Sequence, residues 1–172
     1  MITLGAQFGG PEQNGSPIDV AILSVMDAVR DARGERNKGA APAVNVVLYI
    51  PGSCGIAAPT KIEAARFSRK QKLLLVAVPV PSEMINSSCA LDFVISALHQ
   101  ANAIAADVFA KKNVGTFDLA AADAIVEKAK AEIAAGKYEK QVADAIAKMS
   151  QSTQDALATL ARMKEPLADR PK

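Results

Sequence analysis

The chain is poor in the residues on which most bond-making chemistry depends. It has one histidine, two cysteines and no tryptophan among 172 residues. A single imidazole rules out zinc hydrolase sites built on two or three histidines, and H-E-x-x-H is absent. Cys54 and Cys89 stand far apart with no C-x-x-C spacing, which suggests neither a disulfide framework nor a zinc knuckle; reduced thiols are expected. Neither G-x-x-x-x-G-K-S/T nor G-x-G-x-x-G occurs, so the two familiar phosphate cradles are missing and no cofactor is expected. Aromatics make up 4%, few for the stacking platforms of single-strand binding, and the net charge of +2 is too small to demand a polyanionic partner. Nucleic acid is therefore disfavoured as a partner. No stretch approaches the roughly 18 uninterrupted apolar residues of a spanning helix. Met1 to Gly10 also lacks a basic region followed by an apolar one. A cytoplasmic protein with no membrane partner is expected.

What is present is alanine. The hydrophobic fraction of 50% sits high for a globular chain, yet much of it is alanine, which adds helix propensity more than transfer energy. A chain of this length buries roughly 70% of its unfolded surface, so a core forms without staples. Ile2 to Phe8 reads as a short strand that breaks at Gly9-Gly10-Pro11. Ser16, Pro17 and Asp19 form a capping signature for a helix whose apolar stripe runs Ile18, Ala21, Ile22, Val25, Met26, Val29, and Gly34 stops it. Ala43 to Ile50 is a strand ended by Pro51-Gly52. Ser53 to Gln71 reads as irregular, or as a short helix around Thr60 to Phe67. Lys72 to Val78 is apolar on both faces, as a central strand covered by helices would be.

From there the pattern is helical. One helix starts at Ser87 or Ser88 and ends near Asn113 and Gly115. The next opens at Thr116 or Asp118 and stops at Gly136. The last is marked by Tyr138, Val142, Ile146, Met149, Thr153, Leu157 and Leu160 and closes before Pro166. Strands and one helix followed by three helices predict an α+β fold: a small mixed or antiparallel sheet of about three strands, packed by the N-terminal helix and a helix-rich C-terminal half. One domain over 1–172 is expected, with a strand-rich half at 1–80, a three-helix half at 82–165 and a frayed tail at 166–172.

Four features of the sequence are candidate sites. His99 lies one position beyond the apolar stripe of its helix, where a partly buried, hydrogen-bonded structural histidine is the expected role. Gly52-Ser53-Cys54-Gly55 follows a strand, so Cys54 with His99 as its base defines an enzyme alternative, although the elbow G-x-S-x-G is not formed. The carboxylates, such as Glu127, Glu132 and Glu139, read as solvated helical exteriors. The run from Lys61 to Lys72 sets Lys61, Arg66, Arg69, Lys70 and Lys72 against Glu63 alone. Such a cluster either keeps an apolar strand soluble or steers an acidic partner, and a nucleic-acid adaptor using it is a further alternative.

The stretch Phe67-Ser68-Arg69-Lys70-Gln71-Lys72-Leu73-Leu74-Leu75-Val76-Ala77-Val78-Pro79, with the strand ending Tyr49-Ile50-Pro51-Gly52 and the helix Leu91 to Lys111, resembles predicted immunity proteins of bacterial polymorphic-toxin and contact-dependent competition systems. The resemblance spans roughly Val44 to Ile133. It implies a cytosolic, non-catalytic protein that binds a cognate toxin domain tightly and blocks it. Many inhibitors of basic nuclease toxins are strongly acidic, and this chain is not, so the implied target is acidic or neutral, or is met through apolar contact. The expected partner-binding residues are Ser53, Lys61, Arg66, Ser68, Arg69, Lys70 and Lys72, because that segment combines irregular backbone with lysine and arginine. No metal site is expected, and self-association into a homo-oligomer is left open.

Overall fold

The first helix, α1 (Pro17–Ala32), starts where local chemistry requires it. The Ser16 hydroxyl accepts the Asp19 N–H at 3.4 Å, while the Asp19 carboxylate accepts the Ser16 N–H at 3.3 Å and its hydroxyl at 2.8 Å. This reciprocal box satisfies donors that a helix start leaves orphaned, and Pro17 at the first position sacrifices no donor that was bonded. Burial raises the Asp19 pKa against the opposing pull of its bonds to Ser16. The face Ile18, Ala21, Ile22, Val25, Ala28 and Val29 is buried, as a helical stripe on a core should be.

In the computed structural model the described residues are 2–6, 15–33, 45–50, 61–68, 73–113 and 115–164; for most strand residues this covers the backbone and its pairing. Four strands, β1 (Ile2–Ala6), β2 (Asn45–Ile50), β3 (Glu63–Ser68) and β4 (Leu73–Ala77), lie in the order β1-β2-β4-β3. β1 with β2 and β2 with β4 are parallel, whereas β3 runs antiparallel to β4 with a register shift between Ala64 and Arg66. Parallel neighbours need a crossover, and α1 supplies it between β1 and β2. β4 is interior, and its Leu74 and Val76, with Val78 just beyond it, are fully buried.

The helices that follow are a short α2 (Ser82–Ile85), α3 (Ala90–Lys112), α4 (Leu119–Ala134) and α5 (Glu139–Lys164). Asn113 ends α3 in the left-handed conformation, Asp118 caps α4 by accepting the Ala121 N–H at 2.9 Å, and Gly136 turns the chain at φ +73°. α1 sits among α3, α4 and α5, and α3 also packs on β2, β3 and β4. Their shared core holds Val25, Val94, Leu98, Ala101, Val126, Tyr138 and Val142. By length and mean hydropathy, 1.3 over its best window, α3 is the one helix among the described residues long and apolar enough to cross a membrane, and 44% of that window is buried inside the molecule. Asp92, His99, Gln100, Asn102 and Asp107 interrupt it, so it is not an unbroken apolar run.

The expected α+β fold on a three-strand sheet is overturned. Most of the described residues are helical, in five helices against four short strands, so the molecule is mostly helical. What pairing there is joins four strands around a parallel centre wound through α1, not a segregated small sheet. The segment read as irregular or helical around Thr60 to Phe67 contributes β3. Glu-Ala-Ala-Arg is helix-forming by propensity, but pairing with the apolar β4 overrides it. α2 was not anticipated, and α3 begins after Cys89, where Ser87 Oγ accepts the Cys89 N–H at 3.1 Å, not directly at a serine cap. Leu157 and Leu160, which mark the last helix in the sequence, are each 54% exposed. The stop at Gly34, the turn Pro51-Gly52 and the tail 166–172 lie outside the described residues.

Candidate functional site at the α3–α4 seam

α3 buries Val94, Ile95, Leu98, Ala101 and Ala105, which leaves His99 and Asn102, three apart, on the flank turned toward α4. On α4 the buried Val126 fixes which face meets α3, and Asp123 and Glu127, four apart, lie on the same side. The result is a bracketed imidazole: His99 Nδ1 is 2.9 Å from Asp123 Oδ1 and Nε2 is 2.8 Å from Glu127 Oε1. The wholly buried Asn102 donates from Nδ2 to the same Asp123 oxygen at 2.7 Å, while its Oδ1 is buried without a partner among the described residues. Burial of the ring pulls the His99 pKa down, but its bonds to Asp123 and Glu127 and their negative charges outweigh this and hold it above the ordinary 6.5.

A second polar cluster joins α1 to the α4–α5 turn. Tyr138, 1% exposed, points its hydroxyl at Asp31 Oδ2 (2.8 Å) and Glu132 Oε2 (2.7 Å). Lys137 Nζ lies 3.4 Å from Asp31 and 3.2 Å from Glu132, with its ammonium 5.3 Å from the Tyr138 ring centre. Burial first, then these two carboxylates, push the Tyr138 hydroxyl far above its usual range, while the bond from Tyr138 lowers Glu132 and the bond to Glu132 raises Lys137. Glu127 and Glu132 are thus not merely solvated exterior charges. Their partners lie on other elements or across a turn, and the spacing along one helix carries no sign of that.

His99 is hydrogen-bonded and part-buried, as expected. Cys54, its partner in the enzyme alternative, lies outside the described residues, and Cys89 is a free, exposed thiol. Of the expected partner-binding residues, Lys61 is exposed just before β3, and Arg66 and Ser68 lie on β3, an edge strand, opposite Leu75 and Leu73. Ser53, Arg69, Lys70 and Lys72 lie outside the described residues. Among the described residues no group of three or more histidine, cysteine or acidic side chains is arranged to hold a metal ion. The bracketed imidazole is no exception, because its two nitrogens face different carboxylates.

No protein-family model, curated protein or solved structure matches this chain.

Proposed function

We propose that this chain is a cytoplasmic, immunity-type protein that binds a cognate bacterial toxin domain and neutralises it by contact, without catalysis. The observation that carries the reading is the state of His99: both ring nitrogens of the chain's one imidazole face carboxylates of α4, and while the ring holds both protons neither nitrogen offers a lone pair to a substrate or to a thiol. The same observation weakens the enzyme alternative that pairs Cys54 with His99. The proposed interface is the segment from Ser53 to Lys72, which includes Lys61, Arg66, Ser68, Arg69 and Lys70. Support for it comes from the excess of positive charge along the run and from the position of β3 at the edge of the described sheet, where one side of its backbone is left for a partner to pair with.

The test is a pull-down of the tagged full chain from its native cell, with the captured partner identified by mass spectrometry and then co-expressed with the chain. Capture of a toxin-domain protein, together with restored growth, supports the reading. Failure of the chain to protect cells from the toxin it captures contradicts it.

A further inference from the structure

His99 faces two acceptors at once, and only the doubly protonated ring has two N–H groups to give them. The two acceptors are not equivalent. Asp123 Oδ1 is also held by the buried Asn102 amide, whereas Glu127 is 63% exposed and its one hydrogen bond among the described residues is to His99. When the ring gives up a proton, one carboxylate must lose its donor, and the loosely held one is the cheaper to release to water.

We propose that His99 is a proton-operated clasp of α3 on α4: on deprotonation it keeps Nδ1–H on Asp123, passes the Nε2 proton to water and releases Glu127 from the seam. The neutral ring then exposes an Nε2 lone pair at the surface, in the tautomer that free histidine disfavours; the partner of the other nitrogen selects it. This inference is independent of the proposed toxin-binding role.

The charges acting most strongly on the ring are Asp123 and Glu127, both from α4. Lys130 of α4 and Asp92 of α3 are 4.0 Å apart and pair with each other. Of the other elements packed on α3, α1 carries Asp19 bonded to Ser16, Asp27 bonded to Arg30, Asp31 bonded to Tyr138, and Arg33 at its end. α2 carries Glu83, β3 carries Glu63 and Arg66, and β2 and β4 carry no charged residue. None of the described groups on these elements is bonded to the ring.

The sign follows from the raised pKa. Below the ordinary 6.5 the folded and unfolded chains both hold the proton and the clasp contributes in full; as pH rises through the higher folded value, the contribution is lost.

Because the chain has one histidine, imidazole ¹H–¹⁵N correlation spectra of the full-length ¹⁵N-labelled protein report the clasp without assignment. Across about pH 5 to about pH 9 they are expected to show one titration above 6.5, after which Nε2 has the unprotonated shift and Nδ1 remains protonated. Glu127→Gln should lower the midpoint and leave the tautomer unchanged, while Asp123→Asn should abolish the Nδ1–H preference. A neutral ring protonated on Nε2 in the unmodified protein, or a midpoint at or below 6.5, overturns the proposal whatever the variants do.

Discussion

Tyr138→Phe isolates a single hydroxyl at the joint between α1 and the α4–α5 turn. The ring is 1% exposed, and the substitution keeps its volume, so no cavity forms and only the two contacts at 2.8 and 2.7 Å are lost. The hydroxyl has one proton for two carboxylates, which sets the loss at a single charge-assisted bond, about 1.5–3 kcal/mol. Lys137 remains within 3.4 Å of Asp31 and 3.2 Å of Glu132, but its side chain is 50% exposed and compensates in part, which places the expected cost near ~2 kcal/mol. With no tryptophan in the chain, urea unfolding is best followed by far-ultraviolet circular dichroism. The midpoint should fall with the slope unchanged. Tyr138→Ala, which also empties the ring's site, should cost more, about 3–5 kcal/mol. The two variants also differ from the parent in alkali. The folded hydroxyl resists ionisation, so stability holds below the ordinary tyrosine value of 10.0 and declines as pH rises above it, where only the unfolded chain ionises. Tyr138→Phe should lose that alkaline decline. A phenylalanine variant as stable as the parent would refute the assignment of the hydroxyl as the fastener of this joint.

Two further substitutions test the frame that holds the seam. Ser16→Ala removes the acceptor of the α1 capping box and should cost about 1 kcal/mol by urea unfolding, with Ser16→Thr largely preserving stability. Leu98→Ala, at a wholly buried position one residue before His99, should cost about 2–5 kcal/mol and shift the His99 imidazole resonances as α4 resettles.

What could be read from the sequence tracks how local its cause is. The Ser16-Pro17-Asp19 start of α1 was legible because the bonds that make it span three residues, and the left-handed stops at Asn113 and Gly136 were legible for the same reason. β3 was not, since Glu63 to Arg66 prefers helix in isolation and becomes a strand only by pairing with Leu74, Leu75 and Val76. The mostly helical architecture, and the parallel pairing of β1 with β2, depend on which elements meet, and an ordering of elements along the chain does not decide that. The site shows the same division. His99 with Asn102 and Asp123 with Glu127 are visible as helical spacings, three and four apart, but that these two faces oppose each other follows from the packing of Leu98 and Val126 in one core. The stripe of α5 was legible as a helix, yet its burial was not: Val142 is covered, while Leu157 and Leu160 stand exposed.

Under the proposed function, this protein acts by occupying a partner and turns nothing over. Titrating the purified chain into a fixed concentration of the captured toxin, well above their dissociation constant, measures this directly through residual toxin activity. A linear fall to zero that ends at a fixed whole-number ratio of chain to toxin is the predicted result. Complete inactivation by a small fraction of an equivalent, progressing with time, would mean that the chain modifies its target and would contradict the account.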